Sequence, residues 1–261
     1  MNKSKKILLF MATLILLTVF LFSALNLINI IIEYNEANSL YEDIQEKYVE
    51  TIATENTEPV TIDIESTEKQ TNPPSPPISI DFSKLTAENE DIVGWIYSQD
   101  TPINYPVVQT NNNSKYLHSD LNGNYLINGT IFVDYRNQEI GKDLNYIVYG
   151  HSMNNESMFG SLLNYKEQSY YESHPTIYYL TDIADYRIEL IAGLVVSTDE
   201  LIYQTTPDLD NLESYIKQAR ENSSFKSNTK YQVGDNIITL STCTYEYDDA
   251  RYVLIGKLIM L

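Results

Sequence analysis

The distribution of apolar and polar positions divides the chain into four stretches. Residues 1–6 are polar and carry Lys3, Lys5 and Lys6. Residues 7–32 form an apolar run without one Asp, Glu, Lys or Arg. As a helix that run would extend ~39 Å at about 1.5 Å per residue, whereas a bilayer core needs only about 20 residues. A cleavable leader has a shorter apolar core, so the pattern predicts an uncleaved single-pass signal anchor. Lysines before the run, and Glu33 and Glu36 after it, predict a cytoplasmic N-terminus with the bulk of the chain outside. Residues 33–50 read as a polar helical extension of the anchor. The chain is then rich in Thr, Glu and Pro as far as Pro77. Such a segment buries too little apolar surface to offset the entropy of ordering, so 33–77 reads as helical extension and disordered tether.

Residues 78–261 have the patterning of one globular domain. A short helix is expected near 81–95, "DFSKLTAENEDIVGW", with Phe82, Leu85 and Ile92 inward. Eight strand-like runs follow between turn signals: "GWIYS", "INYPVVQ", "GTIFVDY", "LNYIVYG", "PTIYYLT", "YRIELIAGLVVS", "NIITLSTC" and "RYVLIGKLIML". Short strands at such spacing predict a mainly β sandwich or barrel. Two helical stretches interrupt them, "SMFGSLLNYKE" and "TTPDLDNLESYIKQARENSS". In the second, Thr206 suits an N-cap and Pro207 the first helical position. Its Leu209, Leu212, Ile216 and Ala219 recur at three and four, which predicts one inward face.

Composition supports the β bias, since tyrosine favours half-buried strands and the chain has 22 of them. The formal net charge is -19, without the clustered Lys and Arg that a nucleic-acid partner requires. Cys243 is the only cysteine. Exported proteins use cysteines in pairs as staples, so an odd thiol outside the cell is a link between chains, a reactive group or an inert buried side chain.

The surroundings of that thiol permit chemistry. Two alternating runs flank the polar connector "YEYDD", which is a hairpin signature. With the turn centred on Tyr247, Cys243 and Arg251 fall directly opposite each other and share a face, Cβ atoms about 4.5–5.5 Å apart. A slip of one residue would separate them. A cation beside a thiol favours the nucleophilic thiolate, and a guanidinium can donate to an oxyanion. The simpler reading of Arg251 is that it neutralises Asp248 and Asp249. A cysteine nucleophile also needs a proton donor, usually His. Of three histidines, His118 lies in a polar loop and reads as solvated, and His174 precedes a proline, which suits a structural role. His151 follows Gly150 at the end of a β-run, where catalytic groups often sit. No HxxxH or CxxC spacing suggests a metal, and no cofactor is expected.

Taken in order, "NEDIVGWIYSQDTPINYPVVQ", "NGTIFVDYRN", "YIVYGHSMNNESMFGSLLNY", "YYESHPTIYYLT" and "LSTCTYEYDDARYVLIGKL" resemble the class B sortases, membrane-anchored cysteine transpeptidases of Gram-positive bacteria. The resemblance spans 82–261. It implies a closed eight-stranded β-barrel with N-terminal helices and a long helix between the sixth and seventh strands, where "TTPDLDNLESYIKQARENSS" sits. It assigns Cys243 as nucleophile, His151 as the histidine and Arg251 as the arginine, with Ser241, Thr242 and Tyr245 as substrate contacts. The implied partners are surface proteins with a C-terminal sorting signal and an amino group of a peptidoglycan precursor or cross-bridge. Family members differ in signal preference, NPxTN-like or [SP]PxTG. A hydrolytic cysteine protease would use the same Cys and His. A pilus-polymerising sortase more often has an N-terminal lid and a C-terminal membrane helix. A non-enzymatic wall-binding module would not explain the Cys–Arg spacing.

Overall fold

The computed structural model describes residues 3–52 and 75–261. Most of the Thr-, Glu- and Pro-rich tether proposed from the sequence lies outside the described residues. The first element is one unbroken helix, α1 (Lys3–Tyr48), whose apolar part is long enough to cross a membrane and is not covered by protein. Its last turns are different. Ala37, Tyr41 and Tyr48 are buried against the domain, Tyr41 Oη donates to Gly129 O (2.5 Å), and Gln45 Nε2 donates to Asn104 O (2.7 Å). The segment read as a polar extension therefore has a packed face, and the folded body begins well before Ile78.

A two-stranded ribbon follows, β1 (Val49–Thr51) antiparallel to β2 (Ile78–Ile80), then α2 (Phe82–Glu88). Asp81 caps α2 by accepting from Lys84 N (3.1 Å), and Leu85 is its buried residue. Phe82 is only partly covered and Ile92 belongs to the next strand.

The eight alternating runs form β3 (Ile92–Tyr97), β4 (Asn104–Val108), β5 (Ile131–Val133), β6 (Asn145–Tyr149), β7 (Thr176–Leu180), β8 (Asp185–Val196), β9 (Ile237–Cys243) and β10 (Arg251–Met260). They close into a barrel in the order β10-β8-β7-β3-β4-β5-β6-β9, with β9 returning to β10. Pairing is antiparallel except β4 with β5 and β6 with β9. Between β6 and β7 lie a 3₁₀ helix, Gly160–Lys166, and α3 (Gln168–Ser173).

Strand alternation sends Val107, Ile131, Val148, Tyr179, Ile188 and Leu240 into one central cluster. The outward residues Ile191, Val253 and Ile255 are covered by α4 (Leu209–Glu221), between the sixth and seventh barrel strands. On another side Trp95, Val108 and Leu180 are covered by Tyr48, Ile78 and Leu85. The start of α4 differs from its sequence reading. Asp208, not Thr206, is the N-cap, accepting from Asp210 N (3.1 Å) and Asn211 N (3.2 Å). A carboxylate at this position both satisfies free amides and meets the positive end of the helix. Leu209 is then the first helical residue and faces outward at 40% exposure, while Leu212, Ile216 and Ala219 are buried as the periodicity requires.

Candidate active site

Three neighbouring strands present the three candidate residues at one end of the barrel. β9 and β10 pair with Cys243 directly opposite Arg251, the register the hairpin spacing predicts. On its other edge β9 runs parallel to β6, with Tyr149 paired to Ser241. Two residues further along the chain lie His151, just past the end of β6, and Cys243, the last residue of β9. Two hydrogen bonds hold this end together: Gly150 N donates to Ser241 O (3.1 Å), and Thr242 Oγ1 donates to Gly150 O (2.9 Å). His151, Cys243 and Arg251 all line one cavity of ≈ 520 Å³. The thiol is free and partly buried.

His151 is half-buried. Its Nε2 lies 2.6 Å from Leu117 O. A carbonyl only accepts, so Nε2 carries the proton and Nδ1 is left for a proton in transit. Burial pulls the imidazole below its ordinary pKa; the Leu117 carbonyl opposes this and His118 adds to it. The resting ring is therefore neutral over more of the neutral range than a free histidine.

The hairpin loop is fixed from outside the site. Lys166 Nζ, on the 3₁₀ helix, donates to Thr244 Oγ1 (3.3 Å) and pairs with Glu246 (2.5 Å). Lys166 draws the Glu246 carboxyl down to about 2. Arg251 Nη1 donates to Ala250 O (3.0 Å), which uses one donor and leaves the remainder of the guanidinium for the cavity.

The opposite wall comes from the β8–β9 connection. Tyr203 Oη and Ser241 Oγ are 2.8 Å apart. Burial pushes the Tyr203 hydroxyl up to about 12, so it stays protonated and can donate. Arg136 ties this wall to the barrel. It forks onto Asp134 through Nε and Nη2 (both 2.8 Å), and Nη2 also donates to Tyr203 O (3.0 Å). Asp134 is fully buried, which alone would raise its pKa. The hydrogen bonds from Arg136 prevail and hold the carboxyl below the usual range. Tyr149 Oη donates to the same carboxylate (2.9 Å) and its ring stacks parallel to Tyr203, centroids 6.3 Å apart.

Of the three substrate contacts expected from the sequence, Ser241 and Thr242 line the cavity. The Thr242 hydroxyl is already committed to Gly150. Tyr245 is 83% exposed on the hairpin loop and is not part of the lining. His118, read from sequence as solvated, is exposed but lies over His151, ring centroids 5.1 Å apart. Sequence reasoning also passed over Leu117, Asp134, Arg136 and Tyr203. For Asp134 and Arg136 a signal was present, an Asp-x-Arg at a strand end. Among the described residues, no three His, Cys, Asp or Glu side chains converge as a metal-binding set.

Comparison with known proteins agrees with this arrangement. Residues 96–259 match the Sortase domain family model. The chain is 33% identical to sortase B of Listeria monocytogenes over 250 residues, covering 95% of each chain. It is 33% identical to sortase B of Staphylococcus aureus over 181 residues, covering 68% of this chain and 74% of the relative. Among solved structures, a Staphylococcus aureus sortase B–substrate complex superposes with a TM-score of 0.65 at 32% identity, covering 69% of this chain and 85% of that one. A sortase B complexed with triglycine gives 0.65 at 32% identity, covering 69% and 86%. Sortase B from B.anthracis in complex with AAEK1 gives 0.69 at 30% identity, covering 88% and 100%. A barrel with two parallel pairs, a lone thiol opposite an arginine, and relatives of one kind along nearly its whole length lead to one conclusion: the chain belongs to the sortase family, in class B.

Proposed function

We propose that this sortase cleaves a C-terminal sorting signal after threonine and transfers the carboxyl end to an amino group of cell-wall peptidoglycan. The observation that carries the reading is the placement of Cys243 and Arg251 on paired strands, with His151 just past the end of the neighbouring β6, around one cavity. The Cys243 thiol passes its proton to the neutral His151, and the thiolate so formed attacks the threonine carbonyl carbon, forming a C–S bond and an oxyanion. Arg251 donates hydrogen bonds to that oxyanion. Collapse breaks the C–N bond, and a protonated His151 passes its proton to the departing amine. The thioacyl-enzyme is then attacked by the acceptor amine, whose proton returns to His151 as the thiolate leaves. Solved class B relatives described with a substrate and with triglycine support a peptide substrate and a glycine-type acceptor.

Anchoring by residues 7–32 would hold the domain where membrane-retained substrates and lipid-linked precursors lie, raising their effective concentration. The assay is a panel of NPxTN- and [SP]PxTG-type peptides with triglycine, read by mass spectrometry. The expected result is a peptide–triglycine amide that disappears in Cys243→Ala and nearly disappears in His151→Ala. Cleavage that never yields the amide would identify a hydrolase instead.

A further inference from the structure

His118 and His151 are 33 residues apart in sequence, yet their rings stack at an interplanar angle of 26°. His118 is in turn stacked on Tyr125, centroids 6.3 Å apart at 28°. His151 is thus one end of a three-ring column. The loop that supplies the column is built, not slack. Asp120 accepts from Asn122 N and Asn124 N (both 2.8 Å) and from Asn124 Nδ2 (3.0 Å). Leu126 N donates to His118 O (3.1 Å), and Ser119 pairs with Tyr125. The same loop carries the Leu117 carbonyl that binds His151 Nε2. One loop therefore constrains His151 twice, at a nitrogen and across a ring face.

Resting on the transpeptidase reading above, we infer that His118 is a positioning residue for His151: its ring fixes the plane of the His151 imidazole while Leu117 fixes its tautomer, so that Nδ1 stays aimed into the cavity.

A hydrogen bond at one nitrogen leaves an imidazole free to swing about that bond, and a stacked face removes that freedom. Small misplacements of a proton donor are costly, about 10²-fold for 1 Å in unfavourable cases. An imidazole in this place has an effect a phenyl ring would lack. A proton on His118 repels a proton on His151, which is the direction His118 exerts on it. Besides the Cys243 thiol and three tyrosines, the charged groups lining the cavity are Asp134, Arg136, Asp199, Glu200 and Arg251. The ring contact to His151 comes from His118.

The test uses His118→Phe, which keeps a stacking ring without the charge, and His118→Ala, which removes both. His151 is followed by NMR of histidine-labelled protein, its resonances assigned by difference against His151→Ala. With His118→Phe, His151 should titrate at higher pH than in the parent, its Nε2 proton should stay protected, and kcat/KM should equal or exceed the parent value. With His118→Ala, the Nε2 proton should exchange faster and kcat/KM should fall by about tenfold. An unchanged His151 titration in both variants, or equal activity losses in both, would overturn the assignment. A parent protein that forms no amide product, but whose His151 responds as described, would support the positioning role and remove the transpeptidase reading.

Discussion

Replacing Arg251 by Lys separates two explanations of its place opposite Cys243. The register pairing sets the two Cβ atoms about 4.5–5.5 Å apart. Arg251 commits Nη1 to Ala250 O, and a guanidinium offers five N–H donors, so several remain for an oxyanion in the cavity. An ammonium has three donors at one point and no planar fork, and cannot serve the Ala250 carbonyl and the oxyanion in fixed geometry. Loss of one oxyanion donor typically lowers the rate about 10²–10³-fold, or roughly 2.7–4 kcal/mol. The expected result is a fall of that order in kcat/KM for Arg251→Lys, measured with a fluorogenic sorting peptide. Thiol alkylation followed against pH should change little, because the positive charge is retained. An Arg251→Lys enzyme within a few-fold of its parent would refute the hydrogen-bonding role and leave only a long-range charge effect.

Three further outcomes are expected. Asp134→Asn removes the partner of Arg136; because Arg136 is 44% exposed, the cost should be about 1–2 kcal/mol rather than that of a fully buried pair. The folded-state pKa of Asp134 is depressed, so its stabilisation is complete above the unfolded pKa and is lost as pH falls through the folded one; the Tm gap between parent and variant should narrow below about pH 4. Gly129 has φ +55°, and a Cβ there would lie 2.4 Å from Leu117 O, so Gly129→Ala should cost about 1–3 kcal/mol and lower kcat by displacing the His151 acceptor; unchanged kcat would argue against that route. A chain starting at residue 53 should be less stable in chemical denaturation than one starting at residue 33, by about 3 kcal/mol or more, since it loses the buried Tyr41 and Tyr48; equal midpoints would show that α1 adds nothing to the domain.

What the sequence revealed follows from the range of the interactions involved. The barrel strands were legible because period-two alternation is a local signal, and the Cys243–Arg251 register was legible because five connector residues fix a hairpin. The α4 start was misplaced because Thr206, Pro207 and Asp208 all suit a helix entrance, and only the bonds to Asp210 N and Asn211 N decide among them. The β1–β2 ribbon joins Val49 to Ile80 and has three residues on each side, too few to give a pattern. His118 could not be placed from its neighbours. Its position beside His151 depends on the Asp120 turns and on the 114–125 loop folding back over the end of β6. Tyr245 shows the converse: it follows Cys243 closely in sequence, yet the turn carries it onto an exposed loop outside the cavity lining.

The continuity of α1 has a mechanical consequence. The apolar run ends at Ile32, and Ala37 is already buried on the domain. Those five residues rise only ~7.5 Å as helix. With residues 7–32 in a bilayer, the barrel stands on a short stiff post. A domain on a leash sweeps a hemisphere, but one on a post turns in a ring at constant height. Reach then becomes the substrate's burden. Under the function proposed above, the spacer between a substrate's membrane-retained segment and its scissile bond would have to match the height of the cleft, and the enzyme would act as a ruler, selecting substrates by length as well as by sequence.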